Sequence, residues 1–247
     1  MNRLKLPNNI NRRQAIQLLG MSSIGYLLNS CSSEFTAKVG DLTEPLNQSF
    51  GELLVKPQLL IPEFAKSAID SKALLLNSYD GTPEIVGGAF LQENRDKYRL
   101  TIDGEVKFPM ELNLKALKQL PQTSIIMQHV CVEGWAAIVQ WGGFRLRDLA
   151  KMVQPKDSAR YVLFQSADKY TESWDLASAL HPQTILADRM NGEILPDDNG
   201  APLRLATPIK LGYKLSKWVT KVSFVSQIPK GGKGYWEEQG YEWFGGI

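Results

Sequence analysis

The chain has 247 residues, of which 43% are hydrophobic and 22% charged, with 28 Lys and Arg against 26 Asp and Glu. This length suits a single domain with a substantial core, and the near-neutral balance argues against binding that relies on neutralising nucleic-acid phosphates. Two cysteines exclude the disulfide framework that stabilises many small secreted domains.

The N-terminal residues 1–30 have the pattern of an export signal and are set aside from the fold. They contain four Lys or Arg, no acid, and an apolar stretch at 15–28 that is too short for a membrane span of about 20 residues. The Arg12-Arg13 pair is typical of signals that export folded proteins, and residues 28–31 resemble a lipoprotein cleavage box that ends at Cys31. The alternative is an ordinary signal with a chance cysteine. We therefore predict an exported, periplasmic protein, lipid-anchored through Cys31 if the box is used.

Beyond the signal, the chain divides into two parts. Residues 31–61 are weakly periodic and are interpreted as a tether or a segment wrapped on the surface, whereas regular patterns begin at residue 62. Strands and short helices mix without regular alternation, which predicts one α+β domain at 62–247 rather than a doubly wound α/β fold.

Alternation, β-branched runs and turn residues predict the elements of this domain. The first half contains a hairpin of 98–103 and 105–112 around Asp103-Gly104, a helix at 114–120 capped by Asn113, a strand at 123–132, a chain break at Gly142-Gly143 and a helix at 144–153. The second half contains a strand at 159–167, a helical turn or two at 173–180, a hairpin of 184–190 and 193–195 around Asn191-Gly192, a tight loop at 196–200, an extended segment at 202–206 and a strand at 218–225. Residues 229–247 are predicted to be a packed aromatic tail, for which a stacking platform is the alternative.

Cys131, near the end of the strand at 123–132, carries the chemical question. If Cys31 is lipidated or removed, this thiol has no internal disulfide partner. Removal of the signal also leaves 24 basic and 26 acidic residues, a formal net charge of −2. Four interpretations are open: a buried structural thiol, a nucleophile with His129 or His181 as base, a zinc ligand, or a thiolate ligand to a metal centre that a cofactor completes. Strand geometry separates the His129 and Cys131 side chains by about 6–7 Å, which disfavours a direct hydrogen bond. A structural zinc site needs four ligands, and one Cys with two His supplies too few.

Three stretches, residues 129–150, 181–219 and 234–247, resemble the sulfite-oxidase-like family of molybdopterin oxidoreductases in the family's own order. The resemblance implies a single mixed α+β molybdopterin-binding domain of the sulfite oxidase type. It also implies a molybdenum ion held by the two dithiolene sulfurs of molybdopterin and by one protein thiolate, at the position of Cys131. A soft, electron-rich thiolate suits a high-valent metal, because coordination keeps the sulfur deprotonated.

The resemblance further implies residues that hold the pterin and its phosphate. The alternative for each is a structural role, such as a turn at Asn199-Gly200 or solvated charges at Lys214 and Lys217. The pterin contacts are Ser166, Asn199 and Arg204, with Asn77, Tyr79 and Asp80 upstream, and the phosphate contacts are Lys214, Leu215, Ser216 and Lys217.

Departures from the sulfite-oxidising members refine the predicted function. Those members place several arginines around the metal, whereas Cys131 here leads into Val-Glu-Gly-Trp, as in bacterial subunits of the periplasmic methionine sulfoxide reductase type. We expect His129, Glu133, Trp135 and Trp141 to shape the mouth of the pocket. The expected reaction is two-electron oxygen-atom transfer, reducing an S-oxide or N-oxide; sulfite oxidation and a cofactor-free exported binding domain are the alternatives.

The expected partners also follow from the resemblance. We expect a domain without the immunoglobulin-like dimerisation domain that follows in sulfite oxidases, and therefore a monomer apart from its electron partner. That partner is expected to be a haem or quinone-linked membrane protein, and the substrate a small or protein-bound sulfoxide. No nucleic-acid partner is expected.

Overall fold

The computed structural model describes residues 60–73 and 95–247, which belong to one compact unit of the chain. The predicted export signal, Cys31, most of the predicted tether, and Asn77, Tyr79 and Asp80 lie outside the described residues. No helix within the described ranges is long and apolar enough to cross a membrane.

Strands dominate the described residues, and the helices are short. In chain order the elements are β1 (Leu100–Gly104), β2 (Met110–Leu112), α1 (Leu114–Leu117), β3 (Gln122–Val130), β4 (Ala136–Arg145), α2 (Leu146–Val153), β5 (Tyr161–Ser166), β6 (Thr171–Asp175), α3 (Leu176–Ala179), β7 (Ile185–Met190), β8 (Glu193–Ile194), β9 (Arg204–Ala206) and β10 (Val219–Val225).

The strands of residues 60–73 and 95–247 form two five-stranded sheets. The first has the order β2-β1-β10-β5-β6, in which β1 and β10 are parallel and the other neighbours antiparallel. The second has the order β3-β4-β7-β8, with β9 also paired to β7, and is antiparallel throughout. This mixture of sheets and short helices confirms the predicted α+β class.

One hydrophobic core is built from both sheets and α2. The buried face of α2 places Leu146, Leu149 and Val153 against it, as the apolar spacing of a helix requires. The sheets contribute large side chains that are almost completely buried, among them Trp141, Phe144, Phe164 and Trp174.

Several local signals are confirmed. The Asn191-Gly192 hairpin forms between β7 and β8, with both turn residues in the left-handed region that this turn requires. Asn113 caps α1 through its side-chain oxygen, which accepts the Ala116 N–H at 2.8 Å. The helix predicted at 114–120 is shorter than expected and ends at Leu117.

Two predictions are wrong for reasons of packing. Gly142-Gly143 does not break the chain but lies inside β4, at a register shift, because a Cβ at Gly143 would overlap the Leu186 carbonyl oxygen of the neighbouring strand. Residues 173–175 are strand rather than helix, since β6 pairs with β5 up to Asp175, which then caps α3.

The partner strand predicted at 105–112 is also shorter, since only Met110–Leu112 pairs with β1. Val106 instead forms an isolated bridge with Pro155, and Pro109 has no N–H with which to extend the ladder.

The described N-terminal segment, residues 60–73, runs along the second sheet. The Phe64 N–H donates to Ile126 O at 3.0 Å, and the Ile126 N–H donates to Glu63 Oε2 at 3.0 Å. Further along, the Asp70 N–H donates to Ile138 O at 2.9 Å. The segment thereby satisfies backbone groups that an open strand edge would expose.

Candidate functional site

Cys131 lies in a tight connection between β3 and β4. The Cys131 N–H donates to Trp135 O at 2.9 Å, and the Gly134 N–H donates back to Cys131 O at 3.1 Å. Gly134 has a φ of 91°, a conformation that glycine adopts at little cost. Cys131 is only 9% exposed, whereas Val132 beside it is 47% exposed, so the thiol lies just below the surface.

A carboxylate is held beside this thiol. Glu133 Oε2 accepts the Trp135 Nε1–H at 2.9 Å and lies 3.6 Å from Cys131 Sγ, within hydrogen-bonding range of the thiol. Burial and the Glu133 charge raise the pKa of Cys131, so the free thiol stays protonated at neutral pH. This arrangement disfavours a hydrolytic nucleophile, because the thiolate is the reactive form, but a cation bound at sulfur would displace the proton.

His129 forms the inner wall beside Cys131. It is 4% exposed, stacks on Trp135 with ring centroids 5.9 Å apart, and meets Trp141 at 6.1 Å. Burial and the charges of Arg204 and Lys217 lower the pKa of His129 to about 3, so the imidazole is neutral. The two cations therefore lie close enough to His129 for all of these groups to share one site.

Both cations donate hydrogen bonds to carbonyl oxygens. Arg204 is 2% exposed, donates to Asn199 O at 2.9 Å and Leu205 O at 3.3 Å, and lies 4.4 Å from the centre of the Trp141 ring. Lys217 Nζ donates to Asp198 O, another carbonyl, at 2.8 Å.

Neither cation forms an ion pair with any residue that the structure describes. Burial lowers the pKa of Arg204 to about 9, and burial together with Arg204 lowers that of Lys217 to about 7. Asp198 and Asp168 act in the opposite direction on the pKa of Lys217 without forming an ion pair with it. A buried guanidinium without a carboxylate partner, next to a second, partly buried cation, is the electrostatic character of an anion site.

Several buried polar atoms around these cations have no hydrogen-bond partner. They are Ser166 Oγ, Ser216 Oγ, His129 Nδ1 and Trp141 Nε1. Leaving such a group unpaired costs about 1–3 kcal/mol, so a polar ligand that bonds to them would remove this cost.

The backbone brings the surrounding loops together. The Ala167 N–H, after β5, donates to Trp218 O at 2.9 Å, next to Lys217. Gly200 has a φ of 109°, and a Cβ there would lie 2.9 Å from Lys217 Cβ and 3.1 Å from Arg204 Cβ. The turn predicted at Asn199-Gly200 therefore has a second role, because its glycine allows the two cationic residues to approach each other.

Two of the predicted phosphate contacts have other partners in the structure. Lys214 is fully buried, and its ammonium is occupied by Glu172 at 2.5 Å and by Glu237. Leu215 lies in the hydrophobic core, and its N–H donates to Gly212 O at 3.0 Å. Neither group is available to an anion, whereas the Ser216 hydroxyl and Lys217 remain candidates.

Gly212 is a site residue that the sequence patterns did not indicate. A Cβ on Gly212 would lie 3.0 Å from His129 Nε2, 3.2 Å from Val130 O and 3.6 Å from Cys131 Cα. The turn that contains it therefore packs directly against the end of β3. Only the long-range fold reveals this contact, since the local pattern around Gly212 is that of an ordinary loop.

Sulfate binding to the protein without cofactor is expected to weaken as the pH rises through about 7, where Lys217 loses its proton. Below this pH Lys217 is already charged, so the affinity for sulfate should be constant. Above it the affinity should fall about tenfold per pH unit, because each anion site loses one proton. Sulfate keeps its own charge across the neutral range, so calorimetric titration at fixed ionic strength measures the effect.

The control is Lys221, a lysine of β10 that pairs with Asp103 at 2.8 Å. Lys217→Met should abolish the pH dependence, and Lys221→Met should preserve it. A wild-type affinity that does not change across neutral pH contradicts the assignment of Lys217 to the anion site.

Comparison with known proteins identifies the family of this chain. Residues 88–236 match the family model described as the oxidoreductase molybdopterin binding domain. The chain belongs to this molybdopterin-binding oxidoreductase family. The predicted family, the oxidoreductase class and the molybdopterin cofactor are thereby confirmed.

Relatives in the family share a substantial part of the sequence. A chain from Azospira oryzae, provisionally named protein-methionine-sulfoxide reductase subunit YedZ1, is 37% identical over 193 residues, which are 78% of this chain and 70% of that protein. Two proteins named protein-methionine-sulfoxide reductase catalytic subunit MsrP, from Ralstonia nicotianae and Campylobacter jejuni, are 35% and 33% identical over 53% and 56% of this chain. This chain spans about half the length of the MsrP proteins, 45% and 52% respectively.

A solved structure shares the fold. The crystal structure of the sulfane dehydrogenase SoxCD from Paracoccus pantotrophus matches with a TM-score of 0.52 and 22% identity, over 54% of this chain and 39% of that one. At this identity the likeness supports the family fold alone.

The residues around Cys131 fit the family's cofactor. Molybdopterin carries a phosphate and a polar pterin. Among the described residues, the site offers two cations outside any ion pair, together with buried hydroxyls at Ser166 and Ser216 that have no hydrogen-bond partner. In the described ranges, no group of three or more His, Cys, Asp or Glu side chains is arranged to hold a metal ion.

Proposed function

We propose that this chain is an exported catalytic subunit that reduces sulfoxides, with methionine sulfoxide in proteins as the substrate class. The proposal depends above all on one observation: a single buried thiol, Cys131, lies beside a cationic pocket lined with unpaired polar atoms. The names of the relatives supply the substrate class.

We assign the cofactor contacts residue by residue. Cys131 is the protein ligand to molybdenum. Arg204 and Lys217 hold the anionic part of the cofactor, because both donate to carbonyl oxygens and neither forms an ion pair among the described residues. Ser166 and Ser216 supply hydroxyl groups, and Asn199 orients Arg204 through its carbonyl oxygen. When bound, the molybdenum centre supplies two-electron oxygen-atom transfer.

The overall reaction is balanced as sulfoxide plus two electrons and two protons giving sulfide and water. A haem or quinone-linked membrane partner would supply the electrons. The role of the protein is to position the metal, admit the substrate and exclude competing anions.

The charge at the mouth favours a neutral substrate over sulfite. Glu133 is exposed and its carboxylate lies beside Cys131, so an incoming dianion would be repelled once the cofactor occupies Arg204 and Lys217. A neutral sulfoxide does not experience this repulsion. Trp135 and Val132, an aromatic and an exposed aliphatic side chain, offer apolar contact to the carbon substituents of a thioether.

Export and domain organisation complete the proposal. We assign residues 1–30 to a twin-arginine signal, 31–61 to a tether and 62–247 to the cofactor domain, with Cys31 as the candidate lipid anchor. Export in the folded state is consistent with a cofactor that is inserted before the protein crosses the membrane.

The test is metal analysis and turnover of protein purified from a molybdenum-replete host. We expect molybdenum in the protein, and reduction of methionine sulfoxide by reduced benzyl viologen at least about tenfold faster than any sulfite oxidation, given the unfavourable charge at the mouth. Dimethyl sulfoxide and trimethylamine oxide define the breadth of the pocket. Activity confined to sulfite would overturn the proposal.

A further inference from the structure

The C-terminal segment, residues 229–247, packs on the outer side of the turn Gly212–Lys214. The Leu211 N–H donates to Gly245 O at 2.8 Å, and the Tyr213 hydroxyl donates to Glu242 O at 2.6 Å. An isolated bridge joins Lys210 to Gly246. The segment therefore covers the turn through backbone and side-chain contacts on both sides of Gly212.

A buried ionic cluster fixes the same turn from inside. The Lys214 ammonium donates to Glu172 of β6 at 2.5 Å, to Ser173 O at 3.3 Å and to Glu237 of the C-terminal segment. Lys214 and both carboxylate side chains are 0% exposed. A second bond joins the same strand to the segment, since Trp243 Nε1 donates to Ser173 Oγ at 2.8 Å.

The inner side of this turn faces the metal-binding thiol. Gly212 approaches His129, Val130 and Cys131 so closely that a Cβ would lie 3.0 Å from His129 Nε2. Glu237 thus binds Lys214, and the short backbone turn that contains Lys214 places Gly212 against His129, Val130 and Cys131. Glu237 itself follows the last residue of the family match at 88–236.

We propose that the C-terminal segment sets the position of Cys131 by holding the turn Gly212–Lys214 against the end of β3. Glu237 and Lys214 are positioning residues in this arrangement, and neither touches the cofactor. The inference rests on the proposed function only in naming the thiol as the metal ligand.

Burial of the cluster supports a positioning role. Desolvation of two carboxylates and an ammonium offsets most of their attraction, so such a cluster contributes little net stability compared with an apolar core. It does, however, require one geometry, because any shift of the turn leaves a buried charge without its partner. The cluster is therefore suited to fixing the distance between the turn and β3.

The test compares Glu237→Gln with Glu238→Gln, its exposed neighbour in the same 3₁₀ turn. The readout is the alkylation rate of Cys131 by iodoacetamide in cofactor-free protein, measured by mass spectrometry of the Cys131 peptide so that Cys31 does not contribute. We expect Glu237→Gln to react about tenfold faster than wild type in conditions far below the unfolding transition, since loss of a local restraint raises the population in which the thiol is open. Glu238→Gln should react like wild type.

Two results overturn the inference. One is an alkylation rate in Glu237→Gln equal to that of wild type, and the other is a faster alkylation rate that the lower urea midpoint of the variant explains completely. If Glu237→Gln does not fold, Trp243→Phe provides the second variant, because it removes the N–H bond to Ser173, keeps a smaller aromatic ring and leaves the Lys214 cluster intact. It should accelerate alkylation in the same direction, and a wild-type rate in a folded Trp243→Phe protein would count against the inference. Since the readout uses cofactor-free protein, a wild type without molybdenum would reject the proposed function without changing this result.

Discussion

Replacing Cys131 with serine is expected to lower methionine sulfoxide reduction by more than about a hundredfold, beyond the range seen when only an outer-sphere partner of a metal ligand is removed. Serine keeps the size of the side chain but replaces a soft, polarisable sulfur with a hard oxygen that a soft-metal site disfavours. The side chain is only 9% exposed and already lies within a hydrogen-bonded turn, so the fold should survive the change. Steady-state turnover per folded protein, with circular dichroism to verify folding, measures the effect.

The matched control is Cys31→Ser, because Cys31 is the only other cysteine of the 247 residues. In detergent-solubilised protein this variant should keep wild-type turnover per molecule, whatever happens to its anchoring. Equal activities in wild type and Cys131→Ser would contradict the role assigned to the thiol.

Replacing Arg204 with methionine is expected to have opposite effects on cofactor retention and on stability. The guanidinium is buried, donates to carbonyl oxygens only, and has its pKa lowered to about 9 by desolvation. Hydrogen bonds to a charged group are worth about 1.5–3 kcal/mol each, so molybdenum retained after dialysis should fall about tenfold or more. Removal of a buried charge that has no acidic partner should leave the free energy of unfolding of cofactor-free protein unchanged or raise it by up to about 2 kcal/mol.

A suitable control is Arg189→Met, which removes a partly exposed arginine of β7 that donates to Gln122 Oε1 at 2.9 Å. It should retain molybdenum like wild type. Metal analysis after dialysis and urea unfolding monitored by tryptophan fluorescence measure the two quantities. A cofactor-free Arg204→Met protein that loses more than about 2 kcal/mol would show that Arg204 is a structural residue rather than an anion ligand.

Signals that act between neighbours in sequence were readable before the structure. The Asn191-Gly192 turn and the Asn113 cap are examples, because each depends on backbone conformations and hydrogen bonds within a few residues. The strand that delivers Cys131 was also predicted, although it ends at Val130, one residue before the cysteine. The family motifs around Cys131 then supplied the chemistry that spacing alone left open.

Features that depend on contacts distant in sequence were not readable. The parallel pairing of Thr101 with Lys221 joins segments from opposite ends of the domain, and no local pattern encodes it. The glycines at 142–143 suggested a break, but their missing side chains instead allow close approach of β7. Lys214 was assigned to a phosphate from its place in a motif, whereas the buried carboxylates that bind it come from β6 and from the C-terminal segment.

The most direct test of the central claim is X-ray absorption at the molybdenum edge, on wild-type protein and on the Cys131→Ser variant from the same molybdenum-replete host. We expect the wild type to contain molybdenum. Each molybdenum atom of the wild type should have one more sulfur neighbour than any molybdenum atom that the variant retains. A wild type that contains no molybdenum, or the same sulfur shell in both proteins, would contradict the assignment of Cys131 as the metal ligand.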